Sequence, residues 1–172
     1  NTFLLANNYN VGKSLVEKDL IQEANNIQSK AKKSNCELIL PTDVLCGKNI
    51  HDTNPIHRKI NEVLPEEMIL DIGDESTHLI NNKIINSKMV LWNGPVGAFE
   101  FKPYDKATNA IANAIKVNAK KLNITTLAGG GDTVSAIKNT NTEDGFNYIS
   151  NAGGAFLEWL EGNESPGVKS LK

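Results

Sequence analysis

Ile124-Thr125-Thr126-Leu127-Ala128-Gly129-Gly130-Gly131-Asp132-Thr133 is the stretch whose reading decides the fold. A short β-prone run empties into three glycines, an acid and a hydroxyl at the start of a helical pattern. That is strand, loop and helix in the order that builds α/β proteins. Glycine lets backbone N–H groups approach an anion with no Cβ in the way, and a helix starting near Asp132 adds its unpaired N-terminal donors and the positive end of its dipole. Gly129, Gly130 and Gly131 are therefore candidate phosphate-binding residues, and Thr133 can add a hydroxyl hydrogen bond to the same phosphate. Asp132 is the candidate ligand for the Mg2+ that a nucleotide phosphate brings with it. The same composition also serves a plain tight reversal in which Asp132 only caps the helix, and composition alone leaves both open.

Two familiar nucleotide fingerprints can be tested directly. Gly129 and Gly131 fit the first glycines of G-x-G-x-x-G, but Val134 stands where the third is required, which disfavours a dinucleotide site. Gly12-Lys13-Ser14 matches the end of a Walker A loop, yet Asn7 occupies the place of its first glycine and no strand precedes it. That tripeptide is read as a loop.

Outward from the triglycine stretch, hydrophobic periodicity alternates between helix-like and strand-like segments. The expectation is an α/β, three-layer Rossmann-like domain with a mostly parallel sheet flanked by helices. Helices are expected over residues 15–33, 77–85, 105–121 and 154–161. Strands are expected at Glu37-Leu38-Ile39-Leu40, at Met68 to Gly73, at Lys88 to Trp92 and at Phe146 to Ile149, with a further short extended piece over Asp43 to Gly47. Lys48 to Glu62 reads as polar and turn-rich. Three loops, 93–100, 129–133 and 151–154, then follow the carboxyl ends of successive strands, where ligands bind in open α/β sheets.

The totals bound the function. A chain of 172 residues can bury a core without disulfides or metals. A net charge of −2 argues against a nucleic-acid or membrane surface as the main partner. Cys36 and Cys46 form no C-x-x-C motif and are read as small buried apolar residues in a reducing cytoplasm. His51, His57 and His78 lie apart with no ligand spacing and are read as surface or capping residues. Trp92 is read as sheet core rather than a base-stacking ring. No apolar run has the length of a membrane span and no secretory signal pattern is present. Asn1 to Ala6 reads like the middle of a helix and carries no initiating Met, so the expectation is a fragment.

Leu91-Trp92-Asn93-Gly94-Pro95-Val96-Gly97-Ala98-Phe99-Glu100, Gly129-Gly130-Gly131-Asp132-Thr133 and Ala152-Gly153-Gly154-Ala155-Phe156-Leu157-Glu158 occur in this order. In these motifs, and in Leu40-Pro41-Thr42-Asp43 and Leu70-Asp71-Ile72-Gly73, the chain closely resembles the C-terminal, nucleotide-binding domain of the phosphoglycerate kinase family. The resemblance covers residues 1–162 as that domain, with 163–172 as a tail, and lacks the family's first strand and its N-terminal, phosphoglycerate-binding domain. It implies a cytoplasmic glycolytic enzyme, monomeric at full length, that exchanges a phosphoryl group between 1,3-bisphosphoglycerate and ADP with Mg2+, giving 3-phosphoglycerate and ATP. By motif correspondence Glu100 bonds the ribose hydroxyls and Pro95 lies near the nucleoside. Gly130, Gly131, Asp132 and Thr133 take the phosphates with Asp132 on the metal, Asn93 lies near the phosphates, and the backbone of Gly153 and Gly154 lies near the transferring group.

Two departures stand out. Asn151 replaces a hydroxyl residue usual before the last glycines, and Asp74 stands where the family commonly has Pro. A rival of another class is a non-catalytic nucleotide or anion sensor on the same scaffold. The retained Asn93, Glu100 and Asp132 favour an enzyme, because a sensor has no need of the metal ligand.

Overall fold

The computed structural model describes residues 1–151 together with Gly154, Leu157, Glu158, Glu161 and Gly162. In chain order the elements are α1 (Thr2–Ala6), α2 (Ile21–Lys33), β1 (Asp43–Gly47), β2 (Ile56–Lys59), β3 (Met68–Ile72), α3 (Asp74–Ile85), β4 (Met89–Trp92), α4 (Lys106–Leu122), β5 (Thr125–Gly129), α5 (Gly131–Asn139) and β6 (Tyr148–Ser150). The chain forms two compact units, one of residues 1–80 and 96–107, the other of residues 81–95 and 108–172.

In the first unit β1 lies between β2 and β3, antiparallel to both. Val44 and Cys46 are fully buried on β1 and join Leu4, Val11, Ile60 and Val63 in one cluster, with Leu40 and Ile69 packed against it. Burying such side chains is worth about 1.5–3 kcal/mol each. The polar anchor of this unit is Asp43, whose carboxylate accepts hydrogen bonds from the Ser76 hydroxyl and backbone N–H and from the Glu75 N–H, and meets His57 Nε2 at 2.7 Å. A carboxylate at the first turn of α3 satisfies amides that the helix leaves unpaired. That start is three residues earlier than the periodicity of the sequence predicts.

The second unit holds a parallel sheet ordered β4-β5-β6. α5 packs on β5, burying Val134, Ala136 and Ile137, and α4 buries Ile111, Ala112, Ile115 and Ala119. The α/β class with a helix-flanked parallel sheet is thus as expected; the antiparallel sheet of the first unit is an addition to it.

Among the described residues four helices stop at an asparagine with positive φ: Asn8 after α1, Asn35 after α2, Asn123 after α4 and Asn141 after α5. In each case the next residue's N–H reaches back five positions, as Cys36 does to the Ala31 carbonyl at 2.8 Å. Asparagine here takes the left-handed place that glycine usually fills in a helix stop.

Several local expectations are corrected. Residues 37–40 are not a strand: apolar residues alone do not make one without a neighbouring backbone to pair with, and Leu38 is exposed. The helix expected from residue 15 begins as a 3-10 turn at Lys18 and becomes α only at Ile21, leaving Leu15 86 % exposed. The stretch read as turn-rich hides β2, an edge strand whose Ile-His-Arg-Lys sequence has no apolar alternation to announce it. Cys36 is exposed, because the stop of α2 turns it outward from the core that holds Cys46. The expected final helix lies largely outside the described residues, as do Gly153 and the tail 163–172; Gly154, Leu157 and Glu158 are helical. Among the described residues no helix is long and apolar enough to cross a membrane.

Candidate functional site

In the second unit, parallel pairing sets Trp92 beside Ala128 and Gly129 beside Ser150, so β4, β5 and β6 end at a common edge. The segments that follow carry Asn93 to Pro95, Gly130 to Thr133, and Asn151. Gly130 is the N-cap of α5 with φ 98°, a conformation that side-chain-bearing residues rarely adopt. A Cβ placed there would stand 3.2 Å from Asn93 Oδ1, so the side chain of Asn93 is brought against the glycine turn. The Gly130 N–H donates to the Ser150 carbonyl at 3.3 Å, which ties the turn to β6.

The hydrogen-bond ladder of α5 begins with the Val134 N–H on the Gly130 carbonyl at 3.0 Å. The amides of Gly131, Asp132 and Thr133 therefore have no partner within the helix, and no side chain caps it. Gly131 is exposed, with no atom within 4 Å of where its Cβ would be. Asp132 is exposed on the first turn. Thr133 is placed differently from a surface ligand. It is 1 % exposed, and its Oγ1 accepts the Gly94 N–H at 2.7 Å. Gly129 is buried as the last residue of β5. Trp92 is 8 % exposed, donates Nε1–H to the Gly94 carbonyl at 2.8 Å and stacks on Phe146, which makes it the rigid floor of the β4 loop.

Open amides at a helix start beside glycine suit an anion. Among the described residues no group of three or more His, Cys, Asp or Glu converges into a metal cage. One exposed carboxylate at Asp132 fits Mg2+ that keeps its waters and arrives with a phosphate, which needs few protein ligands.

Pro95 is half-buried and closes the second unit's β4 loop. Glu100 belongs to the first unit and lines a largely apolar cavity of about 570 Å3 together with Leu70, Val96, Ala98 and Phe101. The Ala98 N–H bonds the Leu70 carbonyl at 2.7 Å, fastening the Glu100 segment to β3. Gly97 (φ 66°) sits so close that a Cβ would come within 2.4 Å of Asp71 Oδ1. Asp71 is 1 % exposed and accepts hydrogen bonds from the Ile72 and Ala107 amides. Burial pushes its carboxyl up to about 7, with Asp105 and Asp74 adding to the effect. Asp71 and Gly97 lie within motifs that carry the resemblance but receive no role from the sequence; the signal for Asp71 is an acid inside the otherwise apolar run Met68 to Ile72.

The loop Gly12-Lys13-Ser14 is structural. Gly12 has φ 56° and a Cβ on it would lie 2.1 Å from the Glu67 carbonyl oxygen, while the buried Ser14 Oγ accepts the Ile69 N–H at 2.8 Å.

The family profile described as Phosphoglycerate kinase matches residues 1–163. Curated relatives include the phosphoglycerate kinases of Rhodospirillum centenum and Xanthobacter flavus, each 44% identical over 99% and 100% of this chain. The chain spans 43% and 44% of their respective lengths. Among solved structures, that of phosphoglycerate kinase from Coxiella burnetii superposes with a TM-score of 0.92 at 35% identity, over 100% of this chain and 44% of the other. The enzyme from Pyrococcus horikoshii, at 22% identity and a TM-score of 0.78 over 99% of this chain and 42% of the other, shares the fold. An α/β chain whose triglycine turn opens a helix at the edge of a parallel sheet, matched along nearly its whole length by that profile, belongs to the phosphoglycerate kinase family.

Proposed function

We propose that this chain is the nucleotide-binding part of a phosphoglycerate kinase, the cytoplasmic glycolytic enzyme that moves a phosphoryl group between 1,3-bisphosphoglycerate and ADP, and that it works as a monomer at full length. Residues 1–162 form the nucleotide-binding domain and 163–172 its tail. The observation that supports this most is the uncapped start of α5, with open amides beside Gly131 and the exposed carboxylate of Asp132.

Phosphoryl transfer asks for in-line placement and charge neutralisation far more than for a covalent residue. The amides of Gly131, Asp132 and Thr133 hold phosphate oxygens. Gly130 supplies the turn that exposes them. Thr133 meets the phosphate through its backbone amide, its side chain being buried with the hydroxyl oxygen accepting the Gly94 N–H. Asn93 stands beside that turn, near the phosphates. Asp132 holds Mg2+, which, when bound, neutralises phosphate charge and fixes the reactive oxygens. By correspondence with the family, Glu100 accepts hydrogen bonds from the ribose hydroxyls, Pro95 borders the nucleoside, and Gly153 and Gly154 offer backbone amides to the transferring group. Phosphoglycerate binds elsewhere, in the family's N-terminal domain.

A coupled assay tests the reading. The full-length protein containing this chain should form ATP from 1,3-bisphosphoglycerate and Mg-ADP, and residues 1–172 alone should not, since positioning of the second substrate contributes roughly 7–11 kcal/mol to such a reaction. Absence of turnover in the folded full-length protein, or turnover by residues 1–172 alone, would overturn it.

A further inference from the structure

The segment bearing Glu100 has little secondary structure of its own between Val96 and α4. Something outside it must fix its course, because a carboxylate on a loose loop cannot be placed against a ligand without an ordering cost. Near its start the Ala98 N–H bonds the Leu70 carbonyl of β3, and Gly97 packs so closely on the Asp71 side chain that a Cβ would have no room there. At its far end the Ala107 N–H bonds Asp71 Oδ2 at 3.1 Å. One side chain therefore touches both ends of the segment. Gly97 matches this arrangement, since any side chain there would collide with Asp71 and with the Leu70 carbonyl oxygen, 2.8 Å from a Cβ.

We propose that Asp71 is a positioning residue for nucleotide binding: its buried carboxylate clamps the segment from Gly97 to Ala107 and so sets the place of Glu100. The inference rests on the proposed function, in which Glu100 is the ribose contact. Oδ2 accepts from the segment's Ala107 N–H and Oδ1 from the Ile72 N–H of β3, so the ionised form, with both oxygens as acceptors, is the ordering one. Protonation turns one acceptor into a donor facing an N–H, and the segment loosens. Charged groups near the carboxyl are Asp74 at the start of α3 and Asp105 just ahead of α4, both disfavouring ionisation, while the β1 residue paired with Asp71 is the uncharged Leu45. Burial with these neighbours brings the change of state to about pH 7.

The test uses the full-length enzyme and measures kcat and the KM of each substrate across pH. Asp71→Asn keeps the shape but offers one acceptor, and should raise the KM for Mg-ADP roughly tenfold while leaving the KM for 1,3-bisphosphoglycerate within about twofold. In the wild type the nucleotide KM should rise as pH falls through about 7, and in Asp71→Asn this dependence should vanish. Gly97→Ala pushes the segment off the intact carboxylate. It should raise the same KM, and the double variant should fall short of the product of the two effects. A folded Asp71→Asn with wild-type nucleotide KM and pH profile, or with equal rises in both KM values, would overturn the proposal. If Asp71→Asn does not fold, a wild-type nucleotide KM in Gly97→Ala overturns it instead. A folded wild type with no turnover would reject the functional reading itself, and the clamp's purpose with it.

Discussion

The Gly94 N–H donates to Thr133 Oγ1 across 2.7 Å, joining the loop after β4 to the first turn of α5 through a side chain that is only 1 % exposed. The hydroxyl works as a strap between two loops that the parallel register already brings to one edge. It keeps the glycine turn in place while leaving the helix-start amides open.

Removing that strap without changing volume should be costly. Thr133→Val removes the acceptor of the Gly94 amide, and losing such a hydrogen bond costs about 0.5–1.5 kcal/mol. Thr133→Ser, which keeps the hydroxyl, should lose less than Thr133→Val. Urea unfolding of the variants checks this; equal stability of Val and wild type would refute the strap.

Glu100 should be read through the sugar. Glu100→Gln should weaken binding of ADP more than binding of its 2′,3′-dideoxy analogue, since the carboxylate is proposed to accept the ribose hydroxyls. Calorimetry on the full-length protein measures both. Equal losses would make Glu100 a structural residue.

Two buried aspartates give stability opposite dependences on pH. Burial works against ionisation of Asp43, but bonds from Ser76, His57 and Glu75 outweigh it and hold its carboxyl down at about 2. Its contribution is complete above the unfolded value near 4 and is lost as pH falls towards about 2, amounting to roughly 2 kcal/mol. Asp71 is raised to about 7, so the folded state holds a proton that the unfolded state releases, and stability declines as pH rises from about 4 to about 7. Melting curves should show Asp43→Asn flattening the acid limb and Asp71→Asn flattening the decline above it. Unchanged slopes in both variants would contradict these assignments.

The thiols should separate cleanly. Cys36 is exposed, whereas Cys46 is fully buried and burial, with Glu67 adding, raises its thiol to about 11. Iodoacetamide at mildly alkaline pH should label Cys36 in the native protein and Cys46 only after denaturant is added. Peptide mass spectrometry reads the sites; native labelling of Cys46 would contradict the packing around β1.

Much of the fold was legible because periodicity and the local rules agreed. β3, β4, β5, α4 and α5 stand close to where the apolar pattern places them, and the triglycine turn lies where strand period gives way to helix period. What stayed hidden was decided by partners far along the chain. β2 exists because Lys59 to Ile56 pair with Asp43 to Cys46, and residues 37–40 stay irregular although their side chains favour a strand. The early start of α3 depends on Asp43, distant in sequence, taking the Ser76 amide. At the candidate site the glycines and Asp132 could be picked out by residue type. The buried work of Thr133 and the clamp of Asp71 depend on which backbone amides come to face them, and no spacing rule carries that information.

The central claim is that Asp132, at the open start of α5, meets the metal and phosphates of ADP in a phosphoglycerate kinase. Turnover of the full-length enzyme by coupled assay, wild type against Asp132→Ala across Mg2+ concentration at saturating 1,3-bisphosphoglycerate, tests it most directly. The account predicts a rate loss of roughly 100-fold or more and a much higher Mg2+ requirement, with binding of metal-free ADP less affected. Wild-type turnover with an unchanged Mg2+ dependence in Asp132→Ala would contradict it.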